Sequence, residues 1–270
     1  MTSTPSPPGG HALVTGASSG IGAAIAREYA ARGVPLILTA RREDRLRALA
    51  AELQAQVPVD VIAADLADPA APAWLVEEIR RRGLAVRILV NNAGYGLPGR
   101  YRVNDWAAHA AFLQVMIGAV SELTWRLLPQ IRESGGGRIL NVSSVAGLVP
   151  GADGQTLYAP VKAYLVKFSE SLHLENLDRG VHVTALCPGF TRSEFHDVTG
   201  TRPLMNKLPD GIWLQADAVA RAGMDAVERG QVVCVPGLRY KLLVFVAKHL
   251  PESWMLGLMQ RNSKRYRKVD

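Results

Sequence analysis

A tyrosine and a lysine stand four residues apart in the segment Tyr158-Ala-Pro-Val-Lys162. On a helix, this spacing puts both side chains on one face. With a pKa near 10, a tyrosine is about 0.1% ionised at pH 7, so its neutral form can donate a proton to a carbonyl oxygen. Taking a proton from an alcohol instead requires a nearby cation that favours the phenolate, which Lys162 can supply. Taken alone, however, Tyr-x-x-x-Lys is more often an ordinary pair of helix residues.

A glycine-rich turn near the start of the chain is suited to binding a ligand. Residues 15–22 read Thr-Gly-Ala-Ser-Ser-Gly-Ile-Gly, between an apolar run and an alanine-rich helical segment. Glycines let the backbone approach a pyrophosphate closely, and a helix N-terminus offers free N–H groups and the positive end of a dipole. The turn therefore predicts dinucleotide binding; the alternative is a tight turn without a ligand.

Short apolar runs alternate with helical segments along the chain. The predicted strands are 11–15, 35–40, 59–63, 88–91, 138–142, 181–186 and 231–235, and the predicted helices are 21–32, 43–54, 70–82, 105–132, 156–179 and 216–229. Most of the strands are apolar without alternation, as is typical of parallel strands covered on both faces. We predict a single-domain α/β fold, a Rossmann-type doubly wound parallel sheet of about seven strands with helices on both faces.

The chain divides into three parts around this core. Residues 1–10 are polar and proline-rich and predict a flexible leader, whereas 11–237 form the predicted Rossmann-type domain. Within it, the lobe 190–214 lacks a clear period, and its apolar residues predict an apolar substrate pocket. These residues are Phe195, Leu204, Met205 and Trp213. Residues 238–270 are predicted as a helical C-terminal extension, divided at Pro251 and ending in a basic tail.

Composition excludes several classes of protein. A hydrophobic fraction of 48% with 20% charged residues is enough for a large core and excludes intrinsic disorder. Two cysteines, Cys187 and Cys234, cannot form a disulfide scaffold, and no Cys/His cluster has zinc spacing, so we expect no metal site. The chain start lacks the pattern of a signal peptide, and no span approaches the ~18 apolar residues of a membrane helix. We expect a cytoplasmic protein.

The positive charge is concentrated at the C-terminal end. Residues 239–270 contain eight Lys or Arg and two acidic residues, a net +6 out of the +7 of the whole chain. Because the remaining body is nearly neutral, we do not expect nucleic acid binding.

Four motifs, in order, resemble those of the short-chain dehydrogenase/reductase family over about residues 12–229. Residues 15–22 are similar to its cofactor motif, 91–94 to its Asn-Asn-Ala-Gly segment, Tyr158 and Lys162 to its catalytic pair, and 188–189 to the segment that faces the nicotinamide. The resemblance implies a nicotinamide cofactor. Its contacts would be Gly16, Ser18, Ser19, Gly20, Ile21, Gly22, Asn92, Ala93, Gly94, Tyr158, Lys162, Pro188, Gly189 and Thr191.

The end of the second strand indicates which cofactor. A carboxylate there would hold the ribose of NAD, whereas an arginine accommodates the 2′-phosphate of NADP. Ala40 stands in that position and Arg41 and Arg42 follow it, so we predict NADP(H). Arg41 is the predicted phosphate ligand, and Arg42 is expected to be a largely solvated residue at a helix start. Asp65 and Leu66 resemble the family's adenine contact, and Asp65 can also cap a helix.

The resemblance also assigns catalytic roles. Ser144 would hydrogen-bond the substrate oxygen, Tyr158 would protonate it, and Lys162 would tune Tyr158 and hold the nicotinamide ribose. Ser144 precedes Tyr158 by 14 residues, one more than usual in the family, and the loop 150–155 can absorb the extra residue. Ser143 is the competing assignment, but it lies one residue further from the tyrosine.

Two more positions depart from the family. Pro160 lies inside the catalytic motif and is tolerated only if the helix begins near residue 156, so that Pro160 falls in or next to the first turn. Met116 stands where the family has an asparagine that supports a local helix distortion, whose backbone carbonyl holds a water linked to the lysine. A thioether cannot replace the hydrogen bonds of an amide, although Gly118 could permit a similar distortion.

We therefore expect an NADP-dependent oxidoreductase that transfers hydride between the nicotinamide and a carbonyl or alcohol substrate, acting as a carbonyl reductase. The alternative is a catalytically impaired, NADP-sensing binding protein of the same fold. Because the family forms symmetric assemblies, we expect a homodimer or homotetramer that buries the apolar residues of 238–259. Peripheral contact of this extension with an anionic membrane is the less favoured interpretation.

Overall fold

The computed structural model describes residues 9–154, 156–194, 209–251 and 253–257. Its centre is a seven-stranded parallel sheet in the order β3-β2-β1-β4-β5-β6-β9. The strands are β1 (His11–Thr15), β2 (Leu36–Thr39), β3 (Val59–Val61), β4 (Val86–Asn91), β5 (Arg138–Val142), β6 (His182–Leu186) and β9 (Val233–Cys234). A separate parallel pair joins β7 (Thr191–Arg192) to β8 (Leu214–Gln215). The predicted parallel sheet of about seven strands is confirmed.

Helices cover both faces of this sheet. They are α1 (Gly20–Ala31), α2 (Glu43–Leu53), α3 (Ala71–Arg81), α4 (Trp106–Leu113), α5 (Ala119–Glu133), α6 (Tyr158–Glu175), α7 (Ala216–Glu228) and α8 (Leu238–His249). One apolar core joins α1, α2 and α7 to the sheet, and a second joins α3, α4, α5 and α6 to its other face. The inner strands β1, β2, β4, β5 and β6 are therefore buried on both sides, which explains their largely apolar sequences, whereas the edge strand β3 is only partly buried.

The long predicted helix 105–132 is interrupted. A π-helical turn, Gln114–Gly118, separates α4 from α5 without ending the helical run. Among the described residues this run, Trp106–Glu133, is the one stretch whose length and composition would allow it to cross a membrane, although its inner face is part of the core. Polar residues, among them His109, Gln114 and Glu122, interrupt its sequence, so the run contains no continuous stretch of 18 apolar residues.

The C-terminal extension begins with α8, and after Pro251 the helical turn 253–257 follows, so the predicted division at Pro251 is confirmed. Within the chain α8 buries Val244, while Leu242 and Phe245 on its outer face stay exposed. Residues 1–8 of the predicted leader and all of the basic tail at 261–268 lie outside the described residues. The predicted boundaries at residues 10 and 237 stay predictions.

Candidate active site

The carboxyl ends of the strands meet at one edge of the sheet. The strand order reverses between the neighbours β1 and β4: β2 and β3 follow on one side of β1, and β5 and β6 follow on the opposite side of β4. In open α/β sheets a crevice opens at such a reversal, outside the carboxyl ends of the strands. The glycine-rich turn follows β1, the segment 92–94 follows β4, and Ser143 and Ser144 follow β5. The fold therefore brings the predicted cofactor and catalytic segments together.

The glycine-rich turn and the segment after β4 form one closely packed unit. Asn92 Nδ2 donates to the carbonyls of Thr15 and Gly16, at 2.9 and 3.2 Å. The backbone N–H groups of Asn92 and Ala93 donate to Thr15 Oγ1, at 2.9 and 3.0 Å. Gly16 has a φ of +66°, and a Cβ there would lie 2.8 Å from Asn92 Nδ2. At Gly22 the distance would be 2.4 Å. Side chains at these two glycines would separate the segments.

The start of α1 is open to an anion. The helix begins at Gly20, its N-cap Ser19 makes no side-chain cap hydrogen bond, and its first turn contains no acidic residue. The first N–H groups of a helix lack intrahelical partners, and the dipole there favours negative charge. Ile21 turns inward and packs against the core, which fixes the helix on the sheet. These features fit the pyrophosphate of a dinucleotide.

The two arginines after β2 lie in different surroundings, and the role of Arg41 as a phosphate ligand stays a prediction. Arg41 is exposed and lies near Tyr95. Burial raises the pKa of Tyr95, and the charge of Arg41 has a smaller, opposite effect. Arg42 turns towards the glycine-rich turn, where its Nη2 donates to the hydroxyls of Ser18 and Ser19, at 3.2 and 3.1 Å. The expectation that Arg42 is largely solvated is therefore wrong. Its long, flexible side chain reaches back from the N-cap of α2 because the two hydroxyls accept its hydrogen bonds.

Asp65 and Leu66 lie after β3, and only Asp65 is exposed. Asp65 Oδ1 accepts from the backbone N–H of Ala67 at 3.0 Å, so it closes a turn before α3 and does not cap that helix itself. The Leu66 side chain is buried in the core, so an adenine contact there could involve only its backbone.

The catalytic candidates come from β5, the turn after it and the first turns of α6. Lys162 is buried, its Nζ donates to the carbonyl of Val142 at 2.8 Å, and it lies 5.6 Å from the centre of the Tyr158 ring. A hydrogen bond joins Tyr158 to the Ser144 side chain. All three predicted side chains therefore lie within one small volume.

Burial shifts the acid–base properties of this pair. Burial raises the pKa of Tyr158 to about 12, and the smaller effect of the Ser144 hydrogen bond is to lower it. Burial lowers the pKa of Lys162 to about 8. At neutral pH, Tyr158 is thus a protonated phenol, and Lys162 still carries its charge in most molecules.

The two adjacent serines have different partners. Ser143 is buried, and its hydroxyl donates to the carbonyl of Lys162 at 2.7 Å. Ser144 is less buried and accepts from the backbone N–H of Ala146 at 3.2 Å. The hydroxyl that reaches Tyr158 is that of Ser144, so the geometry favours Ser144 over Ser143.

The two departures within the helices have structural answers. Because α6 begins at Tyr158, Pro160 lies in the first turn, where its missing N–H would have no intrahelical partner. Met116 is buried inside the π-turn, and Gly118 ends that turn. A Cβ at Gly118 would lie 2.4 Å from Gln114 Oε1, so the glycine makes room for the Gln114 side chain. The chain thus has a helix distortion at this position without the asparagine.

Helix α8 packs against the segment that follows β6. Pro188 is buried, and the Thr191 hydroxyl donates to the carbonyl of Gly189 at 3.0 Å, so Thr191 maintains this turn. The ring of Tyr240 covers Gly189, where a Cβ would lie 2.0 Å from Tyr240 Cζ. Ser193 faces the glycine-rich turn, 2.9 Å from the position of a Cβ on Gly20.

Sequence reasoning missed Ser193 and Tyr240. The signal for Ser193 was its place five residues after Pro188, in the segment expected to face the cofactor, whereas nothing near Tyr240 in the sequence indicated a partner in the turn after β6.

The described part of the substrate lobe contains one aromatic pair. The rings of Phe190 and Trp213 lie 5.9 Å apart. The predicted pocket residues Phe195, Leu204 and Met205 lie outside the described residues. In the described part of the chain no group of three or more His, Cys, Asp or Glu side chains could hold a metal ion.

Comparison with known proteins identifies the family. A family model described as short chain dehydrogenase matches residues 10–202. A sulfoacetaldehyde reductase of Chromohalobacter salexigens is 40% identical over 189 residues, 68% of this chain and 73% of that protein. A very-long-chain 3-oxoacyl-CoA reductase of Anas platyrhynchos is 31% identical over 267 residues, 96% of this chain and 81% of that one. A solved short-chain dehydrogenase from Sphingobium yanoikuyae in complex with NADPH has a TM-score of 0.77 at 33% identity, covering 93% of this chain and 95% of that one. The chain therefore belongs to the short chain dehydrogenase family of oxidoreductases, which act on alcohol and carbonyl groups.

Proposed function

We propose that the protein is an NADP(H)-dependent carbonyl reductase with Ser144, Tyr158 and Lys162 as its catalytic residues. The observation that carries this proposal is the group in which the buried Lys162 lies 5.6 Å from the ring of the partly buried Tyr158, and Ser144 hydrogen-bonds Tyr158. When bound, NADPH supplies the hydride that reduces the carbonyl carbon.

Residues of the chain orient the carbonyl oxygen and supply its proton. Ser144 and Tyr158 donate hydrogen bonds to the carbonyl oxygen and orient it, and the Tyr158 hydroxyl then gives that oxygen its proton. A phenol whose pKa is raised to about 12 is protonated at neutral pH, which supports reduction as the working direction. The Lys162 charge stabilises the phenolate that remains. The two relatives are reductases by name, which also supports this direction.

The cofactor-binding residues would be those at the carboxyl edge of the sheet. The glycine-rich turn and the first turn of α1 would hold the pyrophosphate, and Lys162 the nicotinamide ribose. Ala40 offers no carboxylate to an adenosine ribose and two arginines follow it, which supports NADP(H) over NAD(H). The NADPH bound to the Sphingobium relative is in line with this choice.

The decisive experiment is single-turnover oxidation of NADPH with a panel of aldehydes and ketones. Tyr158→Phe is expected to lower the rate by about 10²–10⁴, the usual contribution of a general acid, with NADPH affinity within threefold of the wild type. Tyr164→Phe is the matched control, because Tyr164 lies on the same helix but hydrogen-bonds Ser121 at 2.8 Å. A Tyr158→Phe rate within threefold of the wild type would assign the proton to another group. NADPH binding without hydride transfer to any carbonyl compound would favour the binding-protein alternative.

Assembly and location remain part of the proposal. We place the protein in the cytoplasm, and the exposed Leu242 and Phe245 on α8 support a homodimer or homotetramer in which a second copy covers this face. Light scattering should give a dimer or tetramer that dissociates when both residues are changed to serine. Flotation of the full chain with anionic liposomes, lost on truncation after residue 259, would replace this proposal with membrane contact.

A further inference from the structure

A cluster of ion pairs joins α2 to the end of the segment after β7. Arg42 Nη2 donates to Glu194 Oε2 at 2.9 Å, and Arg45 Nη1 pairs with the other oxygen of the same carboxylate. The same Arg42 nitrogen donates to the hydroxyls of Ser18 and Ser19. Glu194 therefore places a negative charge beside the glycine-rich turn, on the guanidinium groups that follow β2.

This carboxylate is charged at neutral pH. Partial burial raises the pKa of Glu194, but the hydrogen bonds and charges of Arg42 and Arg45 outweigh this effect and hold the pKa below its usual range. The side chains of Arg42, Arg45 and Glu194 are 39%, 47% and 36% exposed, so solvent reaches the cluster and a soluble anion can compete for the arginines.

Arg41 and Arg42 lie in different surroundings. The charges of Arg41 and Asp65 both act on Tyr95, which places Arg41 beside the segment after β4. Arg42 instead bonds the two hydroxyls of the glycine-rich turn. An anion attached to the adenosine ribose of a dinucleotide in this turn would lie next to Arg42, and it would therefore also lie next to the Glu194 carboxylate.

We propose that Glu194 is a cofactor-specificity residue, whose carboxylate occupies Arg42 and Arg45 in place of the 2′-phosphate of NADP(H) and competes with that phosphate for them. This inference rests on the proposed function as an NADP(H)-dependent enzyme. A phosphate carries about −1.5 to −2 charges and three acceptor oxygens, so it displaces a single carboxylate from an arginine. NADPH must break the Glu194 contacts in order to bind, and this cost weakens its binding. NADH has no 2′-phosphate and leaves these contacts in place. Glu194 therefore reduces the preference for NADPH over NADH that Arg42 and Arg45 create.

The test measures dissociation constants of NADPH and NADH for the cofactor-free protein by the fluorescence of the reduced nicotinamide. Glu194→Gln keeps the shape of the side chain and removes its charge. It should lower the Kd of NADPH about fivefold, because an exposed ion pair contributes about 1 kcal/mol. The Kd of NADH should stay within twofold of the wild type. Asp210→Asn is the matched control, because Asp210 is an exposed carboxylate whose ion pair is with Arg192, and it should change neither constant.

A second background separates competition from local structure. In the Arg42→Ala background, the main arginine for which Glu194 and the 2′-phosphate compete is absent. Glu194→Gln should therefore tighten NADPH binding less than twofold in this background. If Glu194→Gln instead weakens NADPH and NADH equally, Glu194 only supports the turn and the proposal is overturned. Unchanged constants for both nucleotides would overturn it as well. If the wild type binds neither nucleotide, the proposed function itself is refuted, an outcome distinct from normal NADPH binding with unaltered selectivity.

Discussion

The thioether of Met116 occupies the space beside Gly94. A Cβ built on Gly94 would lie 2.7 Å from Met116 Sδ and 3.3 Å from its Cε. Met116 is 1% exposed and sits within the π-turn, so its side chain has little room to move away. The residue that replaces the family's asparagine thus packs directly against the segment expected to contact the cofactor.

Gly94→Ala should therefore destabilise the protein through this contact. Overpacking of this kind costs about 1–3 kcal/mol in free energy of unfolding. Met116→Ala alone leaves a cavity and costs about 2–5 kcal/mol, but in the double variant the alanine at 94 no longer meets a sulfur. Urea unfolding of the four proteins should give a double variant at least 1 kcal/mol more stable than additivity predicts. Additive effects would show that the segment moves aside without strain.

Met116→Asn tests whether the amide or the helix distortion matters. Because the π-turn already forms with methionine, restoring the asparagine should leave kcat within about threefold of the wild type, and it should not lower it. A buried amide without enough partners should at the same time reduce the free energy of unfolding by about 1–3 kcal/mol. A large gain in kcat would mean that the amide supplies a hydrogen bond which the distorted backbone does not.

The sheet was predictable because parallel strands buried on both faces carry their signal locally, as continuous apolar runs. The last strand shows the limit of this signal. The run 231–235 is apolar after Gln231, but only Val233 and Cys234 are in the ladder, paired with Ala185 and Leu186. Pairing with a neighbouring strand, and not local sequence, decides where β9 begins and ends.

The positions of the candidate catalytic segments were also predictable, since each lies next to a strand end or helix start that the pattern locates. The surroundings of Arg42 were not. Its partner Glu194 lies 152 residues away along the chain, and an arginine at a helix start has the same local sequence whether it is solvated or paired. Tyr240 is a similar case, because its hydroxyl accepts from the backbone N–H of Phe190, 50 residues earlier.

Substitution of the two serines should separate catalysis from support. Ser144→Ala removes the hydroxyl beside Tyr158 and should lower kcat by about 10²–10³-fold, with a stability change below about 1 kcal/mol. Ser143→Ala removes a buried hydrogen bond to the Lys162 carbonyl and should cost about 1–2 kcal/mol of unfolding free energy, with a smaller loss of kcat. Steady-state rates and urea unfolding of both variants measure this. The reverse pattern would transfer the proposed role to Ser143.

The buried charge of Lys162 should make stability rise with pH. Its pKa is about 8 in the folded protein against 10.5 for an ordinary lysine, so between these values the unfolded chain binds more protons. Stability must therefore increase with pH across this window and be independent of this group below it. The wild type should gain about 2 kcal/mol of unfolding free energy relative to Lys162→Met between pH 7 and pH 9.5. The comparison with Lys162→Met cancels the opposite slope expected from Tyr158 and Cys187, whose pKa values burial raises to about 12. Urea unfolding of both proteins at the two pH values provides the measurement, and a difference that stays constant would show that Lys162 keeps its proton in the folded state.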